Sequence, residues 1–194
     1  MMRRLLLLLE ESGISHKHRI KYASLATLVI ILIFTLSSYQ SITQEEAIAL
    51  LKQFSELIQG RLTPYGIFLN NFLIALAMVI PVVGVGVAGF IIYQTGLVVS
   101  AMSVLSGVPA LILVLIPFIT FYGIPEMLAY GVAVSESVIL TGQIIRGRFR
   151  GELKVLPLVI GVILILLVVA SLVEYLLLVA IGELAGEMGI EMPV

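Results

Sequence analysis

The sequence predicts an all-α polytopic integral membrane protein, a bundle of five transmembrane helices with one external amphipathic helix. Of its 194 residues, 60% are hydrophobic and only 12% are charged, whereas soluble domains have about 45–50% apolar and about 25% charged residues. The mean hydropathy is +1.18. Apolar stretches long enough for the ~20 residues that a bilayer requires alternate with short polar segments. We therefore expect a multi-pass protein of the cell membrane, with the lipid bilayer as its main partner.

The composition also excludes several classes of function. The chain has no cysteine, so disulfides, thiol catalysis and thiolate metal sites are excluded. Its two histidines, His16 and His18, stand together in a basic segment. The net charge of −1 leaves no basic stripe for nucleic acid. We expect no cofactor, no metal site and no nucleic-acid partner.

Residues 1–21 are predicted to form a basic cytoplasmic arm. Arg3 and Arg4 precede a run of five leucines, as in the start of a secretory signal. That run ends at two glutamates, whereas a signal peptide needs an apolar region of about 7–15 residues and a cleavage site of small residues. We therefore expect the arm to stay in the cytoplasm.

The transmembrane domain is predicted over residues 22–181. Its spans are strongly apolar, and glycine and proline residues mark the breaks between them. The third span is interrupted at 107–109 and again at Pro117, so its first half is expected to be interfacial or re-entrant. The expected spans are Tyr22–Tyr39, Phe68–Tyr93, Leu97–Tyr122, Pro125–Ile145 and Leu156–Ile181.

Two polar segments are expected outside the membrane on the external side. Residues 43–59 predict an amphipathic helix, because apolar residues recur at helical spacing. Thr43 is its expected N-cap, and Glu46 completes a capping box. Residues 182–194 are predicted to form an external acidic tail with three glutamates.

Charge bias predicts the orientation of the bundle. The N-terminal arm carries five Lys or Arg residues and the segment 146–154 carries four, whereas the segment 41–61 carries two and the tail none. Five spans place both basic clusters on one side, as the positive-inside rule requires, and four or six spans would separate them. The N-terminus is therefore expected in the cytoplasm and the C-terminus outside.

Glu136 is the candidate for a polar intramembrane centre. It follows Glu126 by ten residues, about 15 Å along a helix, which places it near the middle of an apolar core about 30 Å thick. Charged groups there usually face the bundle interior or a polar cavity. Two interpretations stay open, a hydrogen-bonded structural role and a place on an ion, proton or ligand path. We expect no positive residue at matching depth, so a buried carboxylate here must be neutral, hydrated or cation-bound.

Four further polar residues are assigned to the same centre, namely Asn70, Asn71, Tyr122 and Glu126. Glu126 begins the fourth span, where its charge complements the helix dipole. Asn70 and Asn71 open the second span and either cap it or bond another helix. We expect an Asn–Glu hydrogen bond between these two helix starts. We also expect one inward face on the fourth helix, formed by Glu126, Tyr130, Ala133 and Ser137.

A glycine pattern in the second span matches GxGxxG but predicts helix packing. A dinucleotide site needs a preceding strand, a following helix and an acid about 20 residues further on, and here the pattern lies inside an apolar span. Small residues allow another helix to approach closely, either within the chain or in a homo-oligomer. The expected packing residues are Gly84, Gly86, Ala88, Gly89 and Gly123.

Two segments resemble the stage II sporulation protein M family. Phe68, Asn70 and Asn71 match its F-x-N-N opening of a span. The later P-H-G-I-x-E-x-x-A segment is matched by Gly123, Ile124, Glu126 and Ala129, whereas Phe121 and Tyr122 replace its Pro-His pair. The resemblance covers about residues 66–145 and the five-span plan. It implies a scaffold of a membrane complex, with the Tyr122 hydroxyl in the place of the histidine.

We therefore expect a non-enzymatic scaffold or assembly subunit that forms a homo-oligomer and contacts other membrane proteins. The alternative is a small transporter or channel subunit with a polar path lined by intramembrane Glu and Asn residues. An intramembrane enzyme is the third hypothesis, but the HExxH and GxSxG patterns are absent. A polar cavity reaching Glu136 would favour transport, and a well-packed bundle with Glu136 hydrogen-bonded would favour the scaffold.

Overall fold

The computed structural model describes residues 14–59 and 63–187, with side chains up to residue 180. In these ranges 85% of the residues are helical and none lies in a strand, so the architecture is all-α. The helices of the described ranges are, in chain order, α1 (His16–Ser37), α2 (Gln44–Ile58), α3 (Pro64–Val79), α4 (Gly84–Ser106), α5 (Ala110–Ile119), α6 (Gly123–Ile145), α7 (Phe149–Leu153) and α8 (Leu156–Glu187).

Four of these helices are long and apolar enough to cross a membrane. They are α1, α4, α6 and the part of α8 over Leu156–Ala180. Helices α3 and α5 are also apolar, but they have only 16 and 10 residues. Four such helices in one chain indicate a membrane protein.

The predicted second span, Phe68–Tyr93, is wrong in its bounds. Helix α3 ends at Val79, and α4 begins at Gly84 and continues without a break to Ser106. Pro81 divides the two helices because it lacks an N–H and its ring clashes with the preceding turn. The polar residues near 95 fit inside α4, since the Thr95 hydroxyl donates to the carbonyl oxygen of Ile91 at 2.9 Å.

The predicted third span, Leu97–Tyr122, is likewise divided between two helices. Gly107 ends α4 in the left-handed conformation, with φ +71°, which a glycine adopts without steric cost. Pro109 then caps α5. The interruption expected at 107–109 is therefore confirmed, and the chain continues beyond it as a short helix rather than as the rest of a span.

A strained turn joins α3 to α4. Val82 has φ +67°, a region that β-branched residues rarely occupy. Its N–H donates to Thr141 Oγ1 of α6 at 2.8 Å. One turn earlier on α6, the Ser137 hydroxyl donates to the carbonyl oxygen of Ile80 at 2.7 Å. Helix α6 thus holds the turn at two points.

Helix α6 lies at the centre of the bundle. Of its apolar window 61% is buried, against 22–28% for the other three long helices. It packs against α1, α3, α4 and α8. Polar side chains of α6, such as Glu136, Ser137 and Gln143, are therefore buried inside the bundle.

Residue contacts give the relative directions of the helices. Helix α1 runs antiparallel to α6, because Arg19 contacts Glu136 and Thr27 lies against Gly131. It runs parallel to α4, because Ser37 lies against Gly96, and Ser100, one turn later, donates to the carbonyl oxygen of Gln40. The chain must therefore return between the end of α1 and the start of α4, over the residues that contain α2 and α3.

Helix α2 begins with a complete capping box. The Glu46 N–H donates to Thr43 Oγ1 at 3.2 Å, and the Thr43 N–H donates to Glu46 Oε2 at 2.8 Å. These two bonds satisfy donors that the first turn of a helix leaves unpaired. Ala47 is fully buried where α2 packs on α4.

Candidate functional site

A buried ion cluster joins the start of α1 to α6 and α7. Arg19 Nη1 donates to Glu136 Oε2 at 2.9 Å, and Arg19 Nη2 donates to Glu152 Oε1. The side chains of Arg19, Glu136 and Glu152 are 12%, 2% and 0% exposed. The guanidinium fork thus binds two carboxylates from different helices, a geometry that a single ammonium does not reproduce.

Close packing of α1 on α6 brings these groups together. Gly131 of α6 is in such close contact with Thr27 that a Cβ at this position would overlap the threonine side chain. Arg19 follows the start of α1 by three residues, so its long stem reaches inward along the helix surface. Glu152 comes from α7, which lies between the ends of α6 and α8 and packs against both.

The expectation that no positive residue matches Glu136 in depth is wrong. The sequence places Arg19 in the basic arm, but α1 already begins at His16 and carries Arg19 in its first turn. Glu152 is missed as well, because it stands between Arg150 and Lys154 and its neighbourhood reads as a solvated loop. The residues next to Arg19 and Glu152 in the sequence do not predict that these side chains are buried. Their contact with Glu136 depends on the antiparallel register of α1 and α6.

Glu136 and Glu152 each keep one buried oxygen without a hydrogen bond. These atoms are Glu136 Oε1 and Glu152 Oε2. The cluster combines two carboxylates with one guanidinium, so its three groups carry a net charge of −1 when all are ionised. A buried polar atom without a hydrogen bond lowers the stability of the fold. These two oxygens can therefore accept a further hydrogen-bond donor or cation.

A second polar group lies nearer the start of α6. The Tyr130 hydroxyl donates to Glu126 Oε1 at 2.9 Å. Tyr122, at the N-cap of α6, and Glu174 of α8 lie within electrostatic range of Glu126. Tyr130 is buried, as are Ala133 and Ser137 further along α6.

The predicted hydrogen bond between an asparagine of α3 and Glu126 is wrong. Asn70 Nδ2 donates instead to Asn71 Oδ1 at 3.2 Å, and Glu126 accepts from Tyr130 within its own helix. The i, i+4 spacing of Glu126 and Tyr130 makes them neighbours on one helix face. This local contact gives Glu126 Oε1 a hydrogen-bond donor without α3.

The glycines expected to mediate packing divide into two groups. A Cβ on Gly84 would overlap the backbone of Met78, and one on Gly123 would lie 2.6 Å from the Cβ of Pro117. Gly86 and Gly89 have nothing within 4 Å of such a Cβ, so they lie on an open face of α4. Ala88 is 4% exposed and packs inside the bundle.

A groove of about 440 Å³ lies between α2 and α4, at the end of the bundle remote from the ion cluster. Its lining includes Gln40, Glu46, Gln53 and Tyr93.

Comparison with protein-family models, with curated proteins and with solved structures finds no match to this chain. The resemblance to the stage II sporulation protein M family therefore stays a prediction.

Proposed function

We propose that the chain is a non-enzymatic scaffold or assembly subunit of a membrane complex, as its resemblance to stage II sporulation protein M implies. One observation carries this proposal: the central carboxylates are bonded within the bundle. Glu136 and Glu152 bind Arg19 and are 2% and 0% exposed, so neither lines an open aqueous path in this conformation. A transport path would need polar groups that water or a substrate can reach.

The proposed membrane arrangement has five crossings, with α3 as the fifth. Helix α3 is about 24 Å long at 1.5 Å per residue, shorter than an apolar core of about 30 Å, which local thinning of the bilayer accommodates. It supplies the return that the parallel α1 and α4 require. Charge bias then places the N-terminus and α7 in the cytoplasm, and α2 and the C-terminal end outside.

Single-cysteine labelling tests this arrangement, because the native chain has no thiol. We expect cysteines at Ser41 and Glu187 to react with an impermeant reagent added outside. A cysteine at Gly147 should react only after the membrane is opened. Labelling of Gly147 and Glu187 from the same side would refute five crossings.

The proposed docking surface for a partner is the external groove between α2 and α4. It combines a carboxylate and amides with an aromatic side chain, Tyr93, which is 41% exposed. The open glycines of α4, Gly86 and Gly89, are the proposed contact between copies of this chain. A monomeric mass, both in mild detergent and after crosslinking in native membranes, would remove the homo-oligomer from this proposal.

Purification from the native membrane tests the scaffold function. We expect the tagged chain to recover a partner in fixed stoichiometry, and Tyr93→Ala to lose it. Ile165→Ala is the matched control, because Ile165 of α8 is 63% exposed on an apolar face and should keep the partner. The absence of a stoichiometric partner in native membranes would refute the scaffold.

A transporter remains the second candidate function, favoured by the two carboxylate oxygens of the ion cluster that lack a hydrogen bond. In that function the carboxylates bind a cation in an alternative, open conformation. Reconstituted vesicles test it: cation or proton flux that Glu136→Gln abolishes would support transport. Equal flux through the wild type, the variant and empty vesicles would exclude it.

A further inference from the structure

The charge balance of the ion cluster is incomplete within the described residues. Arg19 supplies one positive charge to Glu136 and Glu152, which together supply two negative charges. Both carboxylates bind the same guanidinium group, which holds them close together. The side chains of the two glutamates are only 2% and 0% exposed, and an uncompensated negative charge at such a buried position is strongly unfavourable. The cluster therefore needs one further positive charge.

Among residues 14–59 and 63–180, the ion pairs of Glu136 and Glu152 are with Arg19 and not with the neighbouring basic side chains. Those near the same end of the bundle are exposed on α1 and around α7, and the first eighteen residues of α8, 156–173, carry no charged side chain. The basic residues concerned are Lys17, His18, Lys21, Arg146, Arg148, Arg150 and Lys154. The ion pairs that the structure gives to the two carboxylates are both with Arg19.

A bound metal cation fits this cluster poorly. A cation of the sodium or magnesium kind takes several oxygen ligands, and the described residues contain no group of three or more His, Cys, Asp or Glu side chains able to hold a metal ion. The adjacent guanidinium also repels a second cation. A proton needs no additional space, and two carboxylates in contact readily share one.

We propose that Glu136 and Glu152 form a buried proton-binding site, sharing one proton so that the cluster with Arg19 is electrically neutral. The proton comes from water and returns to water, and no bond between heavy atoms changes. Glu136 Oε1 and Glu152 Oε2, the two buried oxygens without a hydrogen bond, are the atoms to which it is assigned. This site does not depend on the scaffold function.

Glutamine substitution tests the proposal, because glutamine has the shape and charge of a protonated glutamate. Glu136→Gln and Glu152→Gln should each keep the wild-type melting temperature, since each leaves one carboxylate for Arg19. The double variant should lose a large part of the thermal stability, since Arg19 then has no carboxylate in the cluster. Glu56→Gln, at an exposed position of α2 outside the capping box, is the control for carboxyl loss. If each single variant melts as low as the double variant or fails to fold, both carboxylates are ionised and the proposal is wrong.

Infrared spectroscopy gives an independent readout of the shared proton. The wild type should show a protonated carboxyl carbonyl band that shifts in D₂O, and each single variant should lose intensity from that band. Loss of carboxylate bands alone would overturn the proposal. Titration with sodium chloride at constant ionic strength identifies the competing ligand, because sodium-dependent melting of the wild type, absent from the variants, would assign the site to a metal ion instead.

Discussion

Removal of the guanidinium group tests how much the ion cluster contributes to the free energy of unfolding. In Arg19→Met the apolar stem is kept and both donors are lost. Each hydrogen bond to a charged group contributes about 1.5–3 kcal/mol, so the two bonds of Arg19 suggest a loss of about 3–6 kcal/mol. Breaking a buried ion pair by removing one partner costs about 3–5 kcal/mol. The two ranges overlap at about 3–5 kcal/mol, and we expect a loss of this size in the free energy of unfolding.

Unfolding in mixed micelles, followed by circular dichroism as the fraction of denaturing detergent rises, measures this loss. Lys17→Met is the control, because Lys17 is exposed on the same helix and should change the free energy of unfolding by less than about 0.5 kcal/mol. Arg19→Lys keeps the charge without the fork and should lie between Arg19→Met and the wild type. Equal stability of Arg19→Met and Lys17→Met would refute the structural role of the cluster.

Three further predictions concern the turn, the helix contact and the cap. Val82→Gly should raise the free energy of unfolding by about 1 kcal/mol, because φ +67° strains valine but not glycine, whereas Val83→Gly, at a right-handed position, should not stabilise the protein. Gly131→Ala should lower the melting temperature by forcing α1 away from α6, and Gly142→Ala, on the same helix with nothing within 4 Å of the added Cβ, should not. The N–H of the N-cap residue holds the pKa of Glu46 below its usual range. The cap should therefore stabilise α2 fully above the unfolded pKa and lose this effect as pH falls through the lowered folded pKa, which hydrogen exchange in α2 measures.

The sequence alone predicts those features that depend on local composition. Apolar helices, the capping box at Thr43 and the break near Gly107 follow from hydropathy, hydrogen-bonding capacity and backbone freedom within a few residues. The break at Pro81 had the same kind of signal. The break at Pro81 is not predicted because residues 68–93 are apolar throughout. Hydropathy does not distinguish one long span from two helices that are joined by an apolar turn.

The candidate site could be predicted only in part. The intramembrane position of Glu136 indicates an inward-facing polar group, but its partner depends on the register between α1 and α6. Arg19 precedes it by 117 residues, and a basic residue at a helix end is as compatible with snorkelling outward as with pairing inward. The contact of Tyr130 with Glu126 replaces the expected bond from Asn70 or Asn71 because a neighbour four residues away on a helix is always within reach.

The separation of Arg19 from Glu152 has a consequence for biosynthesis. Glu152 follows Arg19 by 133 residues. At an elongation rate of about 5–20 residues per second, the ribosome adds Glu152 roughly 7–27 s after Arg19. Glu136 follows Arg19 by 117 residues, so the first helix lacks both carboxylates for most of this interval and lacks Glu152 until its end. The ion pairs that hold the first helix must therefore form late, after the central helix α6 has been synthesised.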